Sequence, residues 1–393
     1  MTRNNVSHTK SGLFVREDTG FGLLVYSPYL GLIFACLEKD SERIIMWLDK
    51  KVNQAPSVEY EKALGPGWAI PLEDVEYTVP HLLPNFEAWH HLATPNQPIL
   101  INWLITGDCP LFCQYCYAED LMRGKCHEPD EFDIERISES ILSFNPLVVV
   151  LTGGDPLSSP YLTRAIELLH KRTGIIIDTN AYIFNSTHLE LFKKYNIFVR
   201  ISMDSERPGI NDRLRPVSSE YRKLRRNYPN TVEAAINALC QCIEVRIGVA
   251  VQTVATKMNF SDLEPLGDKL YKLGVNGWRI LMVAPSKDRE KICEKLAGTK
   301  KARTRFYEYI RNKLFSKFEK DWNRRMSLQV AQNATANAVI LVSPDGTFLT
   351  ESNVGPRCKV TLDDDHPKKP RLNLISDKVS MHAHAERYLN LNI

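Results

Sequence analysis

Between residues 99 and 285, short apolar runs alternate with longer segments whose apolar residues have helical spacing. The apolar runs predict strands over residues 99–105, 147–152, 175–178, 197–203, 245–254 and 277–283. The intervening segments predict helices over residues 133–144, 160–172, 186–195, 231–242 and 261–273. This alternation predicts a parallel sheet covered by helices. Because the segment is shorter than the roughly 250 residues of an eight-unit barrel, we expect an α/β fold with a partial (βα)6 barrel.

The segments on either side of this block have a different pattern. Residues 21–36 predict two strands joined by a turn, residues 41–52 predict a helix, and prolines recur from residue 56 to 98. After the block, a basic segment at 299–325 predicts a long helix, and residues 338–350 predict a hairpin. We therefore expect three domains: an N-terminal α+β cap or recognition domain with a linker (1–98), the core barrel (99–285) and a C-terminal helix-plus-hairpin extension (286–393).

Composition and charge narrow the class of protein. Lys and Arg number 50 and Asp and Glu 47, so the formal net charge of +3 gives no indication of a nucleic-acid partner. No apolar stretch approaches the roughly 18–20 residues of a membrane helix, and the first residues lack the apolar region of a signal peptide, so we expect a cytoplasmic protein without a membrane partner. Three of the nine cysteines lie within eight residues. In a reducing compartment, such crowding indicates metal binding rather than disulfides.

The crowded cysteines are Cys109, Cys113 and Cys116, directly after the first predicted strand of the barrel. Thiolates are the usual ligands of iron–sulfur clusters, and a cubane with only three protein thiolates leaves one iron for a small molecule. The carboxyl end of a strand is also where α/β enzymes build their sites. A structural zinc site and an electron-transfer cluster with Cys126 as fourth ligand are alternatives, although neither matches the usual spacings.

The sequence Cys109-x3-Cys113-x2-Cys116, with Tyr115 just before the last cysteine, resembles the signature of the radical S-adenosylmethionine (SAM) superfamily. The resemblance implies one [4Fe–4S] cluster on these three cysteines, with SAM bound at the fourth iron. It also implies reductive cleavage of SAM to a 5′-deoxyadenosyl radical, which abstracts hydrogen from a substrate. An electron donor such as flavodoxin or ferredoxin would then be a partner.

Further motifs follow in the family's order. The Gly153-Gly154-Asp155 turn is similar to the GGEP segment that binds the amino group of SAM, with Asp155 in place of the commoner Glu. The stretch from Ser202 to Arg215 resembles a maturase segment that contacts the ribose and carboxylate of SAM, although Asn211 replaces a His. An ordinary turn and a solvated loop are the alternatives for these two segments. The resemblance implies cofactor contacts from Tyr115, Gly153, Gly154, Asp155, Ser202, Asp204, Arg215 and Gln252.

The substrate is less well defined by the sequence. The motifs are closest in style to SPASM-type peptide and protein maturases, and Gly355-Pro356-Arg357-Cys358 looks like a SPASM remnant. Only Cys293 and Cys358 lie beyond the predicted barrel, so the cysteines for auxiliary clusters are missing. The resemblance implies a peptide or protein substrate. A small molecule or nucleotide from a biosynthetic pathway is the second interpretation, and a non-catalytic Fe–S or zinc protein is the third.

Overall fold

The computed structural model describes most of the core and parts of both flanks. The described residues are 6–9, 12–18, 22–36, 100–224, 230–283, 290–298, 306, 308–314, 316–317, 321, 326–331, 339–350, 361–362 and 372–373. The predicted helix at 41–52, the proline-rich stretch at 56–98, most of the basic helix at 299–325 and Cys358 lie outside them.

An antiparallel sheet of four strands comes first in the chain. Its strands, neighbours in chain order, are β1 (Ser7–His8), β2 (Phe14–Asp18), β3 (Gly22–Ser27) and β4 (Leu32–Cys36). Strands β3 and β4 correspond to the two strands predicted over residues 21–36, and β1 and β2 extend the sheet on the side of β3.

The second sheet contains the repeating strands predicted from the sequence. They are β5 (Leu100–Leu104), β6 (Val148–Thr152), β7 (Gly174–Thr179), β8 (Phe198–Ser202), β9 (Val249–Ala255), β10 (Gly277–Met282), β11 (Ser327–Ala331), β12 (Val339–Val342) and β13 (Phe348–Thr350). Within the described residues their order is β11-β10-β9-β8-β7-β6-β5-β12-β13, and every pair is parallel except β12–β13. The short pair β14 (Thr361–Leu362) and β15 (Leu372–Asn373) stands apart.

Helices connect these strands on one side. The described α-helices are α1 (Glu131–Ser143), α2 (Leu162–Leu169), α3 (Ser186–Lys194), α4 (Pro208–Leu214), α5 (Ser219–Leu224), α6 (Thr231–Glu244), α7 (Leu263–Leu273) and α8 (Glu290–Ala297). Side-chain oxygens of Asp130, Asn185 and Asn230 cap the first turns of α1, α3 and α6. The α/β partial barrel expected from the sequence is confirmed. The domain boundary at residue 285 stays a prediction, and the sheet crosses it, because β11, β12 and β13 come from the C-terminal segment.

The two faces of the large sheet have different environments. One face packs on α1, α2, α6 and α7 in a single apolar core that includes Trp103, Leu151 and Trp278. The other face is the concave inside of the barrel. At its amino end, Val150, Ile176 and other apolar side chains pack against residues of the N-terminal sheet.

Above this apolar layer, the inward-facing side chains are only half-buried, while their neighbours toward the helices are buried. In β9, for example, Gln252 and Val254 are partly exposed, whereas Val251, Thr253 and Ala255 on either side of them are buried. We call this hollow the lumen. Its polar lining residues on β5–β10 are Asn102, Thr152, Asp178, Arg200, Ser202, Gln252 and Arg279. None of the helices in the described ranges is long and apolar enough to cross a bilayer.

Candidate active site

The loop that follows β5 carries all three clustered cysteines. Backbone hydrogen bonds hold it from two sides. On one side, the N–H groups of Gly154 and Asp155 donate to the carbonyls of Thr106 and Asp108 at 2.8 and 2.7 Å. On the other side, the loop binds the segment that ends α4, because Gln114 N–H donates to the Leu214 carbonyl at 2.9 Å. The cysteine loop is thus fixed between the turn after β6 and the chain after β8.

The glycines after β6 allow this close fit. Gly153 has φ of +130°, a left-handed backbone that side chains disfavour, and a Cβ there would overlap the Thr106 carbonyl oxygen. A Cβ on Gly154 would meet the Asp108 carbonyl well inside 3.0 Å. The sequence predicts that these glycines let the backbone approach a ligand. In the structure, the close approach is made to the cysteine loop itself, and a contact with SAM stays a prediction.

The three thiols share a buried environment. Cys109 is buried, and Cys113 and Cys116 are half-buried. Burial raises the pKa of each thiol, to about 11 for Cys116. The Asp155 charge raises the pKa of Cys109 further, and the charge of Cys113 raises the pKa of both Cys109 and Cys116. The Arg215 guanidinium opposes this for Cys113. Asn180 donates a hydrogen bond from Nδ2 to Cys109 Sγ at 3.6 Å, which a thiolate would strengthen.

This donor set fits an iron–sulfur cluster. Buried thiols with raised pKa values become thiolates when a cation supplies the compensating charge. In the described part of the chain, no three His, Cys, Asp or Glu side chains converge closely enough to hold one metal ion. A cubane does not require such convergence, because its irons are bound by separate thiolates. Cys109, Cys113 and Cys116 are therefore the side chains that would hold the cluster.

Three buried polar side chains, one of them within the cysteine loop, are joined by hydrogen bonds. Tyr115 donates its hydroxyl hydrogen to Asp204 Oδ2, and Arg215 Nη1 donates to the Tyr115 hydroxyl at 2.9 Å. Arg215 Nη1 also lies 3.6 Å from Asp204 Oδ2, while Oδ1 accepts from the N–H of Val254 at 2.8 Å. Burial raises the pKa of Asp204, and the Arg215 charge opposes the rise. This Tyr115–Asp204–Arg215 triad joins the cysteine loop to the ends of β8 and β9.

One atom of the triad has no partner within the described structure. Arg215 is 7% exposed, and its Nε is buried without a hydrogen-bond acceptor. An orphaned charged donor in the interior costs free energy unless a ligand accepts from it. The predicted contact between Arg215 and a SAM carboxylate would supply that acceptor.

The Asp155 carboxylate accepts several hydrogen bonds from neighbouring residues of the chain. It accepts from the N–H groups of Leu157 and Asn180 and from the Thr179 hydroxyl. It ties the ends of β6 and β7 together, and burial raises its pKa to about 6. Its role as a contact for the SAM ammonium stays a prediction.

The remaining predicted residues, Ser202 and Gln252, lie in the lumen opposite each other on β8 and β9. Gln252 Oε1 accepts from Arg279 Nη1 at 3.4 Å. The structure therefore brings the predicted residues to three places around one opening: the glycine turn, the triad and the lumen. Sequence reasoning missed the lumen residues Asp178, Arg200 and Arg279. Their signal was a charged residue inside strands that are otherwise apolar.

Comparison with known proteins agrees with this geometry. The Radical SAM superfamily matches residues 103–270, the stretch from the first core strand to α7. These residues are a radical SAM domain. Enzymes of this superfamily use a [4Fe–4S] cluster and SAM, and these are the cofactors that the domain implies here.

Individual relatives are distant. An S-adenosylmethionine-dependent nucleotide dehydratase of Fibrobacter sp. is 25% identical over 216 residues, which cover 50% of this chain and 59% of the dehydratase. A PqqA peptide cyclase of Ruegeria pomeroyi is 22% identical over 277 residues, covering 65% of this chain and 68% of the cyclase. The crystal structure of Streptococcus suis SuiB bound to its precursor peptide SuiA superposes with a TM-score of 0.57 at 14% identity, covering 96% of this chain and 90% of SuiB. The radical SAM domain thus shares its fold with an enzyme bound to a peptide.

Proposed function

We propose that this protein is a radical SAM enzyme that modifies a peptide or protein. The observation that carries the proposal is the loop of three buried or half-buried thiols at the carboxyl end of β5, held in place by the Gly153–Asp155 turn and the triad. When bound, the cluster and SAM supply a 5′-deoxyadenosyl radical that removes hydrogen from an unactivated carbon.

The chain's own residues have separate roles in this proposal. Cys109, Cys113 and Cys116 hold the cluster, and Asn180 orients the first of them. Arg215 would donate a hydrogen bond from its buried Nε to the carboxylate of SAM, while Tyr115 and Asp204 fix the guanidinium in place. The helices cover the outer face of the sheet and the N-terminal sheet packs at the amino end of the lumen. Ordered positioning by such a scaffold can supply several kcal/mol of a reaction barrier.

A peptide substrate is supported by two similarities. The chain aligns over two thirds of a peptide cyclase, and it shares its fold with SuiB in complex with a precursor peptide. A nucleotide substrate is the second candidate, because a nucleotide dehydratase is among the relatives. An electron donor such as flavodoxin or ferredoxin completes the proposal.

Cluster assembly tests the cysteine assignment. We expect about four iron and four sulfide per chain after anaerobic reconstitution. Serine at Cys109, Cys113 and Cys116 together removes both, whereas serine at the exposed Cys240 is the matched control and retains them. Stoichiometric zinc without iron in anaerobically purified protein would overturn the assignment.

Turnover assays test the proposed SAM cleavage and the proposed class of substrate. The reduced, reconstituted protein with SAM should form 5′-deoxyadenosine and methionine, measured by liquid chromatography and mass spectrometry. Saturable binding of a short peptide encoded beside the gene supports the peptide substrate. Saturable binding and turnover of a nucleotide, with no response to that peptide, supports the second candidate instead.

A further inference from the structure

The side chain of Asn180 donates a hydrogen bond to one of the three clustered cysteines. Asn180 directly follows β7 and is 6% exposed, and its Nδ2 lies 3.6 Å from Cys109 Sγ. A hydrogen bond to sulfur is longer than one to oxygen because the sulfur atom is larger. Cys109 is itself only 9% exposed, so water competes little for its sulfur. The amide is therefore part of the immediate surroundings of this ligand.

Two further hydrogen bonds fix the orientation of the amide. Asn180 Oδ1 accepts from the Tyr182 N–H at 2.9 Å, so the NH2 group lies on the opposite side of the amide, toward Cys109. The backbone N–H of Asn180 donates to Asp155 Oδ2 at 2.7 Å. Because these bonds are made within the chain, they preorganise the donor toward the sulfur.

The side-chain contact of Cys116 has the opposite dependence on protonation. The Cys116 thiol donates to Met122 Sδ at 3.8 Å, and this bond needs the thiol hydrogen, which a metal-bound thiolate has lost. An amide donor, in contrast, binds a thiolate more strongly than a thiol. The bond from Asn180 is thus suited to the ligated form of Cys109.

The rest of the environment of Cys109 mostly disfavours negative charge. Burial raises the pKa of its thiol, the Asp155 charge raises the pKa further, and the Leu111 backbone N–H lowers it in part. Apolar side chains, among them Leu104 and Met122, belong to the same packed cluster as Cys109. In surroundings of low polarity, one hydrogen-bond donor changes the energy of an anion more than it does in water.

We propose that the Asn180 amide raises the reduction potential of the cluster by donating to the Cys109 sulfur. Reduction adds one electron, supplied by an external donor that is itself oxidised by one electron, and no bond to the chain forms or breaks. The ligand sulfurs share the added negative charge, so a hydrogen bond to one of them stabilises the reduced cluster more than the oxidised one. The inference rests on the cluster assignment of the proposed function and is independent of the substrate class.

Two substitutions of Asn180 separate this role from a role in the turn alone. Asn180→Asp keeps an Oδ1 acceptor for the Tyr182 N–H and replaces the donor with a second acceptor, whereas Asn180→Ala removes both groups. At a fixed potential, we expect each variant to show an about tenfold lower ratio of reduced to oxidised cluster, which is a midpoint lower by about 59 mV for one electron. The midpoint is measured on the reconstituted protein without SAM, by redox titration followed by electron paramagnetic resonance of the reduced cluster.

Asn196→Asp is the matched control, because it makes the same change in an exposed residue that precedes β8, at the amino end of the strands. Its midpoint should equal that of the unsubstituted protein. If Asn180 only stabilised the turn, Asn180→Asp would keep the original midpoint as well. A full cluster whose reduced-to-oxidised ratio stays within about twofold in either Asn180 variant overturns the inference. Loss of the cluster in both variants also overturns it, because Asn180 would then serve assembly. Absence of iron from the unsubstituted protein would refute the cluster assignment itself.

Discussion

Gly154→Ala should reduce the cluster content of the protein, because the added methyl group points at the backbone of the cysteine loop. The new Cβ would lie far inside the 3.0 Å below which real Cβ contacts essentially never occur, against the carbonyl oxygen and carbon of Asp108. Both atoms belong to the backbone, so no side-chain rotation relieves the overlap. The loop has to move by at least about 1 Å, a displacement at which a metal ligand no longer fits its site.

The size of the effect follows from what the displacement breaks. Overpacking of this kind typically costs about 1–3 kcal/mol. The two backbone hydrogen bonds from Gly154 and Asp155 to the loop are each worth roughly 0.5–1.5 kcal/mol. We therefore expect a loss of about 2–6 kcal/mol in the free energy of unfolding, together with less than half of the normal iron content.

Urea unfolding and iron and sulfide analysis of the reconstituted variant measure both effects. Gly209→Ala is the matched control, because a Cβ there meets nothing within 4 Å. The reasoning is refuted if Gly154→Ala keeps a full cluster and its unfolding free energy stays within about 0.5 kcal/mol of the unsubstituted protein. A full cluster with weakened SAM binding would assign Gly154 to the cofactor instead of the loop.

Three further substitutions test other parts of the structure by urea unfolding. Tyr26→Ala should lower the free energy of unfolding by about 3–5 kcal/mol. Tyr26→Phe should leave it unchanged, because the buried hydroxyl has no hydrogen-bond partner among the described residues. A loss above about 1 kcal/mol for Tyr26→Phe would contradict this. Asp204→Asn leaves the buried Arg215 uncompensated and should cost about 3–5 kcal/mol, against less than about 1 kcal/mol for the surface control Arg164→Gln. Burial raises the pKa of Asp155 to about 6 from 3.8, so the folded state binds that proton more tightly than the unfolded state. The stability of the protein relative to Asp155→Asn should therefore fall as pH rises from about 4 to about 6, and a flat difference would contradict the assigned cause.

Local sequence patterns predicted the strands and helices of the core well, because each pattern depends on neighbouring residues. The apolar run at 147–152 corresponds to β6, and the helically spaced apolar residues at 231–242 correspond to the first three turns of α6. What these patterns do not contain is the pairing of distant segments. β12 was predicted as part of a C-terminal hairpin, yet it also pairs in parallel with β5, more than 200 residues away.

The site could be predicted to a similar depth. The spacing of Cys109, Cys113 and Cys116 identified the loop that would carry the cluster, because ligand spacing is a local property. The hydrogen bonds that Asp155 accepts from Thr179 and Asn180, and the close approach of Gly154 to the Asp108 carbonyl, depend on how distant strand ends meet. The local sequence pattern does not contain that information. The polar lining of the lumen could have been predicted from the sequence, because a charged residue within an otherwise apolar parallel strand indicates that the strand faces a cavity.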